Sequence, residues 1–156
     1  MRDAVNKVAR QVINWCLNNE VTTVVFGCNP EQKQSINIGK RNNQNFVQIP
    51  TAKLKKRIEQ LCELYNINYV ETEESYTSKA SFLDGDDVPV FGEKPEGYKP
   101  SGKRVMRGVY RTAQGLEINA DLNGAANILK KVNTRLGIDL SQVDRGCLTQ
   151  PMRFYA

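Results

Sequence analysis

The feature that most constrains this chain is a change of hydrophobic period that occurs twice in the same order. Over residues 3–19, Val5, Val8, Val12, Trp15 and Cys16 recur at spacings of three and four, with Lys7, Arg10, Asn14 and Asn18 between them. That spacing predicts an amphipathic helix. "VTTVVF" (21–26) follows, short and β-branched, and predicts a strand. Pro50 and Thr51 then open a second helix over 51–65, with Leu54, Ile58, Leu61 and Cys62 as its apolar stripe, and "INYVET" (67–72) predicts a second strand. Two strands joined through a helix assemble most naturally as parallel neighbours, so the fold class is α/β. The polar stretch "GCNPEQKQSINIGKRNNQN" (27–45) is a loop long enough to suggest a functional one.

After residue 75 the pattern changes. "DGDDVPVFGEKPEGYKPSGKR" is rich in Gly, Pro and charge and leaves the core. "VMRGVYRT" and "LEINA", joined by "AQG", predict a β-hairpin with Gly115 in its turn. "DLNGAANILKKV" predicts a third helix, capped by Asp121 and burying Ala125, Ile128 and Leu129. The chain thus divides into a core (1–75), an insertion (76–119), a returning helix (120–133) and an irregular tail (134–156).

Composition narrows the chemistry. The 156 residues hold no histidine, and the cysteines at 16, 28, 62 and 147 form no C-x-x-C pair. Zinc is therefore not expected, and any metal chemistry falls to carboxylates, which suit Mg²⁺ or Mn²⁺. No apolar run approaches a membrane span. The expected setting is cytoplasmic, with no membrane partner. The net charge of +5 is uneven: residues 1–70 hold ten Lys and Arg against five acids, and residues 71–156 hold twelve of each. A basic first half fits either a solvated surface or a polyanionic partner such as nucleic acid. Lys53, Lys55, Lys56 and Arg57 crowd the first turns of the second helix, where the helix dipole favours anions.

Six of the seventeen acids fall in "ETEESYTSKASFLDGDD" (71–87). Glu71, Glu73 and Glu74 stand at the end of the second strand, where α/β folds place their sites. Asp121 opens the third helix. These acids are open to two readings: a solvated strand end with a helix cap, or ligands of divalent ions that drive phosphodiester hydrolysis.

Two motifs separate these readings. Tyr76-Thr77-Ser78 follows the second strand, and Asn119-Ala120-Asp121-Leu122-Asn123-Gly124-Ala125-Ala126-Asn127-Ile128 opens the third helix. In this order they resemble the C-terminal part of the OrfB/TnpB proteins of insertion sequences, over about residues 1–132. These are RNA-guided DNA nucleases related to type V CRISPR effectors. The resemblance implies a partial RNase H-like fold of RuvC type, with a degenerate zinc-ribbon-like hairpin inserted. It places Asp121 on a catalytic, metal-binding carboxylate. The family's catalytic Glu falls on Gly27, which cannot bind a metal, so the role passes to Glu74 or, second, Glu73. The ribbon's cysteine positions fall around Ala80 to Leu83 and at Arg111 and Gln114, none of them Cys here, which leaves hairpin pairing with Phe82, Phe91 and Tyr110 to supply stability. The resemblance further implies DNA and guide RNA as partners, bound by Lys33, Lys40, Arg41, Lys53, Lys56, Arg57 and Lys79. The family's first catalytic Asp lies upstream of Met1, so the expectation is a fragment that pairs with a full-length relative or an upstream piece and cleaves little alone.

Overall fold

The computed structural model describes residues 2–28 and 51–153. The chain is mixed α/β with two small sheets and forms two compact units, one reaching Glu71 and the other spanning Thr72–Met152.

In the first unit, helix α1 (Arg2–Asn18) leads to strand β1 (Thr23–Cys28), and helix α2 (Thr51–Leu64) leads to strand β2 (Asn68–Glu73). β1 begins two residues later, and β2 one residue later, than the apolar runs suggest, because helix closure consumes the first residues. Glu20 turns left-handed at φ 55° and sends the Val21 N–H back to the Cys16 carbonyl at 2.9 Å. Asn66 repeats the device at φ 56°, with the Ile67 N–H on the Cys62 carbonyl at 2.8 Å. A six-to-one bond of this kind satisfies a carbonyl that the helix end leaves open. β1 and β2 then pair in a two-stranded sheet.

The core of this unit joins Ala9, Ile13 and Cys16 of α1 to Ile58, Leu61 and Cys62 of α2, with Ile67. The expected α2 stripe holds, with Leu54 packed at its edge. The α1 stripe is rotated: Trp15 is exposed, and Ala9 and Ile13 take the inner face with Val12 beside them.

In the second unit, β3 (Lys103–Met106), β4 (Val109–Arg111) and β5 (Glu117–Asn119) form an antiparallel ribbon. Tyr110 pairs with Arg104 on one side and Ile118 on the other. Gly115 lies in the β4–β5 turn with φ +82°, as the sequence suggests, and Gly108 makes a second turn with φ +78°. Gly102 precedes the ribbon at a point where a Cβ would stand 2.5 Å from the Arg111 carbonyl oxygen. Helix α3 (Ala120–Leu136) follows, then a short 3-10 turn at Gly146–Leu148. Tyr110, Ile118, Ala120, Ala126 and Leu148 form the core, flanked by Phe82, Leu83, Leu122 and Val143.

Two expectations about α3 are corrected here. Its cap is Asn119, whose Oδ1 accepts the Asp121 and Leu122 N–H groups at 2.9 and 3.0 Å. Its inner face is Asn123, Ala126, Asn127 and Val132, whereas Ala125 is exposed and Ile128 and Leu129 are half-buried. Asn123 and Asn127 are fully buried because they bond backbone: Asn123 accepts from Phe82 N at 3.0 Å and donates to the Ala80 carbonyl at 2.9 Å, and Asn127 donates to Thr77 and Ala80 carbonyls at 3.0 and 2.8 Å. A hydrophobicity count cannot see such a face. The ribbon, α3 and the 3-10 turn all lie within the compact unit Thr72–Met152.

Candidate functional site

The six clustered acids of residues 71–87 have different occupations. Glu71 accepts from the Lys55 ammonium at 2.9 Å and the Tyr69 hydroxyl at 3.2 Å. The Lys55 bond holds the Glu71 carboxyl below its usual range, and Glu71 in turn raises Lys55. Burial, with Glu71 beside it, pushes the Tyr69 hydroxyl well up.

Glu73 bonds the Lys131 ammonium and, at 2.7 Å, the Ser75 N–H. Lys131 also donates to the Pro89 carbonyl at 2.9 Å, and its side chain is only 6% exposed. Burial alone would raise the Glu73 carboxyl; Lys131 and Ser75 outweigh it and hold the group low.

Asp84 and Asp86 are structural staples, not the plain turn and surface residues that an acidic Gly-rich loop suggests. The resemblance makes "SFLDGD" (81–86) and "YRTAQG" (110–115) the two knuckles of the ribbon, and Asp84 crosses from the first to the second, accepting the Ala113 N–H at 2.8 Å. Asp86 accepts the Ser81 N–H at 2.8 Å, the Ser101 N–H at 2.9 Å and the Ser101 hydroxyl. The Tyr110 hydroxyl donates to the Lys79 carbonyl at 2.7 Å, and burial, then Asp86, pushes that hydroxyl up to about 12. These bonds span the region where the resemblance expects cysteine ligands. Of the three aromatics expected to replace metal, Tyr110 is fully buried and Phe82 packs on the core. Phe91 is 56% exposed and lies outside that core.

Asp86 and Glu73 together predict acid sensitivity. Burial would raise Asp86, and the Ser101, Ser81 and second Ser101 hydrogen bonds overcome it, leaving the group low. Carboxyls depressed by folding give stability that is complete above about pH 5 and drains as pH falls below about 4. Thermal midpoints measured across that range should fall for the wild type and fall less for Asp86→Asn, from a lower starting value. An unchanged pH profile in Asp86→Asn would remove Asp86 from this role.

Glu74 and Asp87 remain. Neither carboxylate has a hydrogen-bond or ion-pair partner among the described residues, although their backbone carbonyls accept from Thr77 and Tyr98. Glu74 stands one residue beyond β2, half-buried, at the turn that carries Tyr76-Thr77-Ser78. Asp121 occupies the second position of α3, its side chain 84% exposed and 3.7 Å from Arg104. With Asn119 doing the capping, the Asp121 carboxylate is engaged only by the long Arg104 contact among the described residues. Among the described residues, no three acidic or thiol side chains converge.

The cations divide as well. Lys53, Lys56 and Arg57 line a groove beside α1, while Lys55 is turned to Glu71. Lys79 is exposed in the turn after Thr77. Lys33, Lys40 and Arg41 lie outside the described residues, as does most of the 27–45 loop. Lys131 and Arg104, which pair with Glu73 and Asp121, carry no sequence signal that singles them out; the Glu73–Lys131 ion pair spans 58 residues and is visible only once α3 is in place.

Residues 52–128 match the family model Cas12f1-like, TNB domain. The match runs from the first turn of α2 through the ribbon to Ile128 of α3, just under half of the chain. The Cas12f1-like TNB domain belongs to the TnpB/Cas12f family, and the matched span contains both Tyr76-Thr77-Ser78 and Asn119–Ile128, the motifs that carry the resemblance. No curated protein matches the chain. Within the Cas12f1-like TNB region, both carboxylates of interest, Glu74 and Asp121, are present, and so are the staples that tie the two knuckles. No helix among the described residues is long and apolar enough to cross a membrane.

Proposed function

We propose that this chain is part of a nucleic-acid-processing nuclease of the TnpB/Cas12f group, with an RNase H-like core of RuvC type. The Cas12f1-like TNB match carries this reading. Glu74 and Asp121 are its ligands for Mg²⁺ or Mn²⁺. The donors suit a hard cation: two carboxylates, one without a partner and one largely exposed, leave room for the waters that Mg²⁺ retains. When bound, the metal supplies Lewis acidity to a phosphodiester and makes water nucleophilic near neutral pH. The chain's own groups hold and orient. Asn119 caps α3 and fixes where Asp121 projects; the Lys131–Glu73 pair fixes the end of β2, next to Glu74. DNA and guide RNA are the partners, with Lys53, Lys56, Arg57 and Lys79 among the residues that meet their phosphates.

A second reading, a module that binds nucleic acid without cutting it, is favoured by one observation. Lys131 and Arg104 already balance Glu73 and Asp121 without a metal. One experiment separates the two. The purified chain is mixed with labelled single-stranded DNA and RNA at low salt, with and without Mn²⁺, and retention and hydrolysis are followed together. Salt-sensitive retention is expected. Hydrolysis that vanishes in Asp121→Ala supports the catalytic reading for this chain itself; retention with no hydrolysis supports the binding module; no retention at low salt defeats both.

A further inference from the structure

Tyr76 has a positive φ of 64°, as Glu20 and Asn66 do, but its setting is different. Glu20 and Asn66 close helices, and each is followed by a six-to-one bond. Tyr76 closes no helix and stands three residues beyond the end of β2. A left-handed conformation is costly for an aromatic residue, and it persists only where the surroundings over-determine it. Here the Lys79 and Ala80 N–H groups both donate to the Tyr76 carbonyl at 3.0 Å, and the Tyr76 ring meets the Tyr98 ring edge to face at 6.3 Å.

The turn that results places Thr77 between two elements. The Thr77 hydroxyl donates to the Glu74 carbonyl at 2.8 Å, and its N–H reaches the same oxygen at 3.3 Å. The Thr77 carbonyl accepts from Asn127 Nδ2 of α3 at 3.0 Å. Asn127 is fully buried, and its Oδ1 has no hydrogen-bond partner among the described residues. A buried acceptor left unmade is costly, so what favours Asn at this place is the pair of bonds its Nδ2 gives to the Thr77 and Ala80 carbonyls. Two hydrogen bonds in series thus run from the Glu74 backbone through Thr77 to α3, the helix whose first turn carries Asp121. Thr77 is only 5% exposed, so its hydroxyl serves the Glu74 main chain and not a substrate. Ser78, the last residue of the motif, is exposed and its hydroxyl makes no bond among the described residues.

We propose that Thr77 is a positioning residue for a divalent cation held by Glu74 and Asp121: it fixes the Glu74 backbone to the helix that presents the other carboxylate. The proposal rests on the metal reading above and adds the group that aligns the two ligands. Groups behind the ligands matter because a small divalent ion tolerates little error in where its carboxylates stand.

Thr112 provides the control. It is a threonine of the same unit, 4% exposed, whose Oγ1 accepts the Leu116 N–H at 3.2 Å within the β4–β5 turn. Thr77→Val and Thr112→Val therefore make the same chemical change at equal burial and differ in whether Glu74 is touched. Mn²⁺ alone is titrated into the full chain and its free concentration is read by electron paramagnetic resonance, at a temperature where circular dichroism shows each variant folded. Thr77→Val should weaken Mn²⁺ binding by about tenfold, and Thr77→Ser, which keeps the hydroxyl, should recover most of it. Thr112→Val and Ser78→Ala should stay within about twofold of the wild type. Thr77→Ala replaces Thr77→Val should the latter not fold, with the same loss expected. Equal effects of Thr77→Val and Thr112→Val, or wild-type binding in Thr77→Val while Glu74→Gln has lost it, would overturn the positioning role and leave the metal reading intact. A wild type that does not bind Mn²⁺, or a Glu74→Gln variant that binds as well as the wild type, would overturn both.

Discussion

Tyr110→Ala is expected to lower the unfolding free energy of the chain by about 4 kcal/mol, the range for truncating a fully buried aromatic. Tyr110 has no exposed surface, touches Ile118, Ala120, Ala126 and Leu148, and closes against Gly102. Tyr110→Phe keeps the ring and removes only the bond to the Lys79 carbonyl, and should cost about 1 kcal/mol. Urea titration followed by circular dichroism measures both. Comparable losses for the two variants would show that the hydroxyl, not the ring, holds the ribbon. Negligible loss for Tyr110→Ala would show that this core does not support the unit.

Asn123→Ala should be nearly as damaging, by about 3 kcal/mol, although it removes no apolar surface of note. Its side chain satisfies the Phe82 N–H and shares the Ala80 carbonyl with Asn127. Without it the Phe82 N–H loses its acceptor inside the unit, at about 1–3 kcal/mol, and a small cavity adds to that. Asn123→Leu fills the volume without restoring the bonds, so it should remain destabilised in the same titration. A stable Asn123→Leu variant would mean that packing, not backbone satisfaction, is what position 123 provides.

These two residues also show what the sequence could and could not disclose. Helices and strands were legible because apolar residues follow one period in each: α2 buries Ile58, Leu61 and Cys62 as their spacing requires. The strand starts were displaced because Glu20 and Asn66 adopt left-handed closures that spacing does not encode. The third helix was found, but its inner face was misjudged. Asn123 and Asn127 read as solvent-facing polar residues, and only the 77–82 backbone explains their burial. Asp121 reads as a cap because it is the acid at the start of the apolar-periodic stretch. The extended backbone at Asn119, φ −70° and ψ 128°, assigns the cap. The first half of β3, Lys103 and Arg104, was hidden because their charge suppresses a strand signature, while Val105 and Met106 fall in the expected hairpin.

The candidate site was legible in its residue types and illegible in its pairings. Six acids in one stretch suggested one cluster. The structure distributes them: Glu71 to Lys55, Glu73 to Lys131, Asp84 to Ala113, Asp86 to Ser81 and Ser101, with Glu74 and Asp87 left over. Every one of the four commitments except that of Glu71 reaches a partner in the second unit, and none is implied by neighbouring sequence. The resemblance ranks Glu74 before Glu73 as a metal ligand, and the proposal keeps that order because Glu73, already bonded to the buried Lys131 ammonium, must give up that partner before it can take a cation.

Titration of the chain with Mn²⁺, followed by electron paramagnetic resonance, tests that ranking most directly. Glu74→Gln and Asp121→Asn should each weaken Mn²⁺ binding by at least about tenfold, and Glu73→Gln should leave it within about twofold of the wild type. Loss of binding in Glu73→Gln, with Glu74→Gln unaffected, would contradict the account.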